Sequence, residues 1–264
     1  MAQVIAIIQN KGGVGKSTIT SHLAAALAKK YPDKRVLIVD TDPQGNQSIS
    51  FGKKPRQLEN TLYDVLAKGI DPEAVLIDIS ENLDLLPSNS DMNFFEIDTL
   101  HLVEKIGFQE YLLLLKKALQ SLLRRYDYVF IDSPPELKII ALQILMVADE
   151  IYIPFESDAY NAEGLIALLE KIEENKKQYN VSPIIKGLIL NKVQERTTLF
   201  KGVSVQVDAY CLKKGIPILK TKIPYSTTYP KTIASMGMPI VWADPNNRYA
   251  KCYYALLEEV LKDG

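Results

Sequence analysis

Residues 10–18 read Asn10-Lys11-Gly12-Gly13-Val14-Gly15-Lys16-Ser17-Thr18, between an apolar run at 4–8 and a segment at 19–30 with helical apolar spacing. A strand, a glycine-rich turn and a helix, in this order, are the setting that a phosphate-binding loop requires. Glycines let consecutive backbone N–H groups converge on one anion, and the helix N-terminus adds partial positive charge. We therefore predict a triphosphate site, in which Lys16 reaches the β- and γ-phosphates and the Ser17 hydroxyl binds Mg²⁺.

The loop departs from the usual pattern in two places. In G-x-x-x-x-G-K-[ST] the first glycine falls at position 10, where this chain has Asn10. Asn tolerates a left-handed backbone better than most residues, so the turn is expected to survive. Lys11 is not needed for the chain's own nucleotide, which Lys16 serves. It is either a solvated surface charge or a cation with another target.

The run Lys-Gly-Gly-Val-Gly-Lys-Ser-Thr resembles the deviant Walker A box of the ParA/MinD family of ATPases. The resemblance implies that the chain forms a homodimer when ATP is bound, and that Lys11 reaches across it to the nucleotide of the other subunit. It also implies that the whole loop binds nucleotide: Lys11, Gly12, Gly13, Val14, Gly15, Lys16, Ser17 and Thr18.

Two further segments place acidic residues where apolar strands end. Residues 35–40 form a predicted strand that ends in Asp40, and Asp42 follows in the loop at the carboxyl edge of the sheet, where open α/β sheets bind ligands. The two acids are a helix cap and a solvated side chain, or they serve the phosphate site. Residues 127–132 form a second strand ending in Asp132, before Ser-Pro-Pro. These segments resemble the family's D-x-D-P-Q-G-N and I-D-x-P-P motifs. The resemblance implies that Asp42 orients the attacking water, while Asp40 and Asp132 support Mg²⁺.

The remaining nucleotide contacts come from the resemblance alone. Residues 160–165 are similar to the family's Y-x-x-E-G-L, which implies that Glu163 contacts the ribose of the other subunit's nucleotide. The alternative is a glutamate favoured by the dipole of a helix N-terminus. Asn191 stands where the family places an adenine-binding Asn. Pro224 and Tyr225 match a segment beside the adenine, although Tyr225 replaces the usual Arg.

Charge is divided unevenly along the chain. Residues 1–175 carry 17 Lys and Arg against 26 Asp and Glu, whereas residues 176–264 carry 14 against 6. Such asymmetry suggests that one face binds an anionic surface, although charge runs are commonly just solvated. Ten Lys and Arg lie between residues 192 and 251. We predict non-specific DNA contacts from Lys201, Lys213, Lys220, Lys222, Lys231 and Arg248.

Several other classes fit less well. The two cysteines, Cys211 and Cys252, have no metal-ligand spacing and are not near the acidic loops, which disfavours an iron–sulfur reductase. A tyrosine-kinase-like relative would use the tyrosines near the C-terminus, but their helical spacing indicates packing. A ligase related to dethiobiotin synthetase lacks the Lys11 signature. The alternative function kept open is a MinD-like membrane switch, against which the acidic pair Glu258 and Glu259 argues.

The pattern as a whole predicts one domain over residues 1–264, a doubly wound, mostly parallel sheet with helices on both faces. We expect helices over 91–105 and 109–126 and an edge strand over 218–223. The resemblance implies an ATP- and Mg²⁺-dependent ATPase that dimerises, binds DNA non-specifically and partitions or positions a cargo, which is a plasmid, a chromosome or a protein organelle or cluster. A ParB-like or other small adaptor protein is expected to stimulate hydrolysis. A cytoplasmic, nucleoid-associated location without a stable membrane anchor is expected.

Overall fold

The computed structural model describes residues 1–136, 138–156, 161–194 and 199–262; the side chains of residues 161 and 199–205 are outside that description. The strands are β1 (Gln3–Ile7), β2 (Val36–Asp40), β3 (Ile77–Ser80), β4 (Leu83–Leu86), β5 (Tyr128–Asp132), β6 (Glu150–Phe155) and β7 (Ile184–Leu190). The helices are α1 (Lys16–Lys30), α2 (Asn46–Ser50), α3 (Leu62–Lys68), α4 (Phe95–Asp98), α5 (Leu100–Ile106), α6 (Phe108–Leu112), α7 (Leu114–Ala118), α8 (Ile139–Val147), α9 (Asn161–Tyr179), α10 (Leu199–Lys214), α11 (Thr228–Met236), α12 (Ile240–Ala243) and α13 (Arg248–Leu261).

The strands form one seven-stranded sheet in the order β3-β4-β2-β5-β1-β6-β7. Every neighbouring pair is parallel except β3 with β4, which is antiparallel. Because β5 lies between β1 and β2, the carboxyl ends of these three strands are neighbours. The register pairs Asp132 with Ile7 on one side and with Asp40 on the other. The sheet therefore collects the phosphate loop and both acidic strand ends at one edge.

Side chains from the central strands feed two separate cores. In β1, Val4 and Ala6 pack into one core, whereas Ile5 and Ile7 pack into the other. Strands buried on both faces are near-continuously apolar, as β1, β2 and β5 are. One core is completed by α3, α7, α8 and α9 and the other by α1, α12 and α13. The predicted doubly wound α/β architecture is confirmed.

The prediction of a single helix over residues 109–126 is wrong. The chain forms α6 and α7, followed by a 3₁₀ turn at Leu122–Arg124. Gln143 of α8 donates its side-chain N–H to the carbonyl of Tyr111 at 2.9 Å, and insertion of a side chain into the hydrogen-bond ladder is a common cause of a helix break. The helix expected over 91–105 is also divided, into a 3₁₀ turn at Ser90–Asn93 followed by α4 and α5.

The edge strand expected over residues 218–223 is not formed as a continuous strand. This segment meets β7 through an isolated bridge between Leu188 and Ile218 and through the N–H of Ile223, which donates to the carbonyl of Leu190 at 2.8 Å; a second isolated bridge joins Val193 to Pro224. The carboxylate of Glu259 accepts the backbone N–H groups of Lys220 and Thr221, each at 2.8 Å. Those amides are therefore withdrawn from a strand ladder.

Candidate nucleotide-binding site

The loop between β1 and α1 depends on backbone conformations that glycine adopts easily. Gly13 has φ +75°, and Gly15, which caps α1, has φ +96°. A Cβ on Gly15 would overlap the side-chain amide of Asn191. That amide donates to the carbonyl of Val14 at 2.7 Å. Asn191 therefore braces the phosphate loop directly, a contact that sequence reasoning did not foresee, and its role at the adenine stays a prediction.

Lys192 braces the same loop from outside. Its ammonium donates to the carbonyl of Gly13 and forms an ion pair with Glu156 at 2.6 Å. Lys192 itself has φ +52°, in the left-handed region. Its charge is thus used at the loop, although sequence reasoning counted it only as part of the basic segment.

Lys16 is the buried cation of the site. It is 6% exposed, and its ammonium donates to the carbonyl of Lys11 at 3.3 Å. Removal from water lowers the pKa of Lys16, while the charges of Asp132 and Asp42 act in the opposite direction. Because a buried charge is unfavourable unless it is paired, Lys16 gains stability from an anionic ligand entering the site.

Asp132 lies beside Ser17 through a shared contact with Gln47. The side-chain amide of Gln47 donates to Asp132 Oδ2 at 2.8 Å and to the carbonyl of Ser17 at 3.0 Å. Burial raises the pKa of Asp132, and the hydrogen bond from Gln47 opposes this rise. Gln47 was missed by sequence reasoning, although it directly follows the acidic motif. The sequence feature that could have identified Gln47 is an amide side chain one residue beyond Asn46.

The polar groups around Asp132 fit a magnesium ion. Asp132 Oδ1, Gln47 Oε1 and Ser133 Oγ are buried and have no hydrogen-bond partner among the described residues. Within the part of the chain that the structure describes, no group of three His, Cys, Asp or Glu side chains could hold a metal. An ion there needs hydroxyl and phosphate oxygens as well, and oxygen donors of this kind are those that Mg²⁺ prefers.

Asp40 shapes the loop that carries Asp42. Its carboxylate is fully buried and accepts the backbone N–H groups of Asp42 and Gln47, each at 3.0 Å. Burial, followed by the neighbouring charge of Asp132, raises the pKa of Asp40 well above its ordinary value. Both oxygens are engaged by the backbone, so the structure gives Asp40 a positioning task. Its support of Mg²⁺ stays a prediction.

Asp42 faces the phosphate loop across a cavity of about 700 Å³. It is 6% exposed, and its Oδ1 accepts the N–H of Gln44 at 2.9 Å. Lys16 and Ser17 line one side of this cavity, and α11 lines another through Ile233. The cavity thus brings together a cation, a hydroxyl and a carboxylate, a set that can hold a phosphate chain and orient a water.

Lys11 lies apart from this cavity. Its side chain is exposed, and it borders a small cavity of about 40 Å³ together with Gly164 in the first turns of α9. Glu163 is also exposed. The structure therefore brings the two residues predicted to act across a dimer to one outer surface. Tyr160, which opens the motif, lies outside the described residues.

Pro224 and Tyr225 line a separate cavity of about 650 Å³. The same cavity is lined by Tyr249 and Arg248, whose guanidinium carbon lies 4.6 Å from the centre of the Tyr249 ring. Val193 lines this cavity and forms an isolated β-bridge with Pro224. It follows Asn191, which contacts the phosphate loop, by two residues, so this segment connects the cavity to the loop. Arg248, predicted to contact DNA, therefore lies beside the predicted base-binding residues. Tyr249, whose helical spacing indicated packing, lines the same cavity.

The other predicted DNA contacts are on the surface. Lys213 lies in the last turn of α10, Lys220 and Lys222 lie in the segment before Pro224, and Lys231 lies in α11; all four are exposed. The side chain of Lys201 lies outside the described residues.

None of the described helices has the length and apolar character needed to cross a membrane. The last helix, α13, buries Tyr253, Leu256 and Leu257 in the core beside α1. Glu258 pairs with Lys30. The apolar face of α13 therefore packs against the rest of the protein.

Comparison with known proteins agrees with this geometry. A family model described as an AAA domain, AAA_31, matches residues 2–185. The sporulation initiation inhibitor protein Soj of Bacillus subtilis is 36% identical over 265 residues, covering 100% of both chains.

Two solved structures show the same fold. One is cobyrinic acid a,c-diamide synthase from Mycobacterium smegmatis with a bound ATP analogue and magnesium, at 27% identity and a TM-score of 0.80 over 99% of this chain and 95% of that one. The other is a plasmid partition protein from Borrelia burgdorferi bound to AMPPNP, at 25% identity and a TM-score of 0.78 over 100% of both chains.

Proposed function

This chain belongs to the ParA/Soj family of AAA-domain ATPases, within the ParA/MinD superfamily, and from that premise we propose a dimerising, DNA-binding ATPase that partitions or positions a cargo. The predicted family, the α/β P-loop fold, the hydrolysis of ATP and the use of ATP and Mg²⁺ are confirmed. In general terms, the chain is a ParA/MinD-type ATPase of partitioning or positioning systems. Dimerisation, DNA binding and stimulation by a partner are the finer proposal.

One observation carries the proposal: Lys16, Ser17 and Asp42 line one cavity at the N-terminus of α1, with Asp132 beside Ser17. Lys16 would neutralise the phosphates, and Asp42, held by the Gln44 N–H, would orient the attacking water. Ser17 and Asp132 would hold Mg²⁺, which, when bound, neutralises charge that develops on the phosphates. The chain's own part is therefore positioning and electrostatics.

The position of Lys11 supports the proposal that the chain dimerises. It is exposed and borders the start of α9 rather than its own phosphate cavity. A lysine so placed can reach a nucleotide held by a second copy, where it would act like the cationic fingers of other P-loop enzymes. Glu163, on the same outer surface, would contact the ribose in that arrangement.

Three variants test the nucleotide machinery. Lys16→Ala should lose ATP binding by isothermal titration, because backbone amides alone do not neutralise a triphosphate. Asp42→Ala should bind ATP, dimerise and turn over very slowly. Lys11→Ala should bind ATP but lose the hydrolysis that the dimer supports, by up to about 10³-fold to 10⁵-fold, the range of finger-type cations. An Asp42→Ala protein that stays monomeric with ATP in light scattering contradicts the scheme.

Exposed lysines support binding to DNA phosphates. Lys213, Lys220 and Lys231 belong to the basic part of the chain, and a dimer would present two such sets together. Each phosphate neutralised adds about −0.9 to the slope of log affinity against log salt, so doubling the set strengthens binding steeply. A ParB-like or other small partner would then release the dimer by stimulating hydrolysis.

Fluorescence polarisation with random duplexes tests this surface. Binding should depend on ATP, fall with salt and be indifferent to sequence. The double variant Lys213→Glu/Lys231→Glu should lose it, whereas Lys105→Glu, an exposed lysine in the acidic part, should not. Binding to anionic liposomes but not to DNA would move the protein to the membrane-switch class, which the packed apolar face of α13 disfavours.

A further inference from the structure

The middle of the phosphate loop is not held in shape by steric contact. A Cβ on Gly12 or on Gly13 would meet none of the described atoms within 4 Å, and Gly13 has φ +75°. Because glycine adopts many backbone conformations at similar energy, the peptide that follows Gly13 can turn over. Its carbonyl oxygen would then face the phosphates in place of an N–H group and repel them. The loop therefore needs a polar contact that fixes this peptide.

Two side chains that follow β7 hold consecutive carbonyls of the loop. The amide of Asn191 donates to the carbonyl of Val14 at 2.7 Å, and the ammonium of Lys192 donates to the carbonyl of Gly13. In a planar trans peptide, the carbonyl and the following N–H point in opposite directions. Holding these two carbonyls on the β7 side therefore turns the N–H groups of Val14 and Gly15 away from it.

Lys192 is itself fixed in two ways. Its ammonium pairs with Glu156 at 2.6 Å, and the register of β6 with β7 ends at Phe155 and Leu190, so both charged residues lie just past the carboxyl edge of the sheet. Its backbone has φ +52°, which is uncommon for a residue with a side chain. Such conformations persist where the surrounding structure fixes them, and they cluster at functional sites. Lys192 is thus an anchored donor.

Lys192 acts on the loop from a different place than Lys16. The phosphate cavity is lined by Lys16 and Ser17, and Lys192 is not among the described residues that line it. The side chain of Lys192 is 37% exposed. The contact through which it reaches the nucleotide site is therefore the Gly13 carbonyl.

We propose that Lys192, anchored by Glu156, is a positioning residue that fixes the peptide between Gly13 and Val14 with its N–H toward the phosphates. The loop is then ordered before ATP arrives, which reduces the entropy lost on binding. Because the same N–H contacts serve the bound substrate and the transition state, Lys192 raises affinity without raising turnover at saturation. This inference rests on the proposed function, since it concerns how the same loop binds its nucleotide.

Isothermal titration with ATP and Mg²⁺ tests the assignment. Lys192→Met keeps the length of the side chain but removes the donor. It should weaken binding about tenfold, the effect expected when one charge-assisted hydrogen bond is lost, and change turnover at saturation by less than about twofold. Lys192→Arg should restore the affinity.

Lys186→Met is the matched control. Lys186 of β7 also pairs with an acid of β6, Glu150, at 3.3 Å, but at the amino edge of the sheet. Its loss should leave ATP affinity close to wild type. Circular dichroism checks that each variant is folded.

Salt separates positioning from simple attraction of the triphosphate by an exposed ammonium. Attraction is screened, so its effect would vanish between about 0.05 M and about 0.5 M salt, whereas the affinity ratio of wild type to Lys192→Met should persist if the lysine positions the loop. Equal affinities, a ratio lost at high salt, or an equal loss in Lys186→Met overturns the proposal. So does unchanged affinity with lost turnover, which would place Lys192 across the dimer. If Lys16→Ala binds ATP like the wild type, the proposed nucleotide site fails instead.

Discussion

Lowering the pH from 7 to 5 should cost this protein about 2 kcal/mol of folding stability through one side chain, His22. His22 is fully buried in α1, and its ring stacks on Tyr253 with centres 4.3 Å apart. Its Nδ1 lies 2.7 Å from the carbonyl of Thr18, and its Nε2 accepts the N–H of Ile240 at 3.3 Å. These contacts fit the neutral ring with a proton on Nδ1, and they leave no acceptor for a second proton.

The magnitude follows from two pKa values. Burial lowers the pKa of His22 from its ordinary 6.5 to about 4 in the folded protein. Below pH 6.5 the unfolded chain takes up a proton that the folded chain refuses, so stability is lost as the pH falls toward 4. At about 1.4 kcal/mol for each pH unit, the full loss is about 3.4 kcal/mol, of which about 2 kcal/mol falls between pH 7 and pH 5.

The assay compares urea unfolding of the wild type and His22→Gln, followed by circular dichroism at pH 7, 6 and 5. Glutamine can still donate to the Thr18 carbonyl but does not titrate. The pKa values of Asp40 and Asp132 are raised by burial, which favours the folded state as the pH falls. Both proteins share these acids, so their contribution cancels in the difference. If the two proteins lose equal stability between pH 7 and pH 5, the reasoning about His22 is wrong.

Three further predictions address the site. Gly15→Ala should lower the free energy of unfolding in urea by about 1–2 kcal/mol, because φ +96° is strained for alanine and the added Cβ meets the side-chain amide of Asn191. Gly12→Ala, which has open space around it, should leave that free energy unchanged. Gln47→Leu should lower the free energy of unfolding by about 1–3 kcal/mol at pH 7, because the buried Asp132 carboxylate then lacks the hydrogen bond that Gln47 donates. Gln47→Glu, a side chain of equal size, is compared in the same unfolding assay. Tyr249→Ala should weaken binding of a fluorescent ATP analogue roughly tenfold if the base stacks in the cavity that it lines, with Tyr249→Phe close to wild type; unchanged affinity in Tyr249→Ala would place the base elsewhere.

Much of the site could be predicted because its parts are local in sequence. The phosphate loop needs only a strand, glycines and a helix start within about fifteen residues, and all three are visible in residues 4–18. Asp40 and Asp132 are visible because each ends an apolar strand, and parallel strands bring their carboxyl ends to one edge. The doubly wound architecture follows from the same alternation of strands and helices.

Other features depended on which distant segments the tertiary structure brings together. Gln47 binds Asp132 across 85 positions of sequence, and Asn191 reaches Val14 across 177. The break before α7 comes with a side chain from α8, and the lost strand at 218–223 comes with the Glu259 carboxylate. Hydrophobic periodicity reports which face of an element is buried, but it carries no information about which distant polar side chain competes for a backbone group. That competition is decided only when the sheet order and the helix packing place the competitor within hydrogen-bond distance.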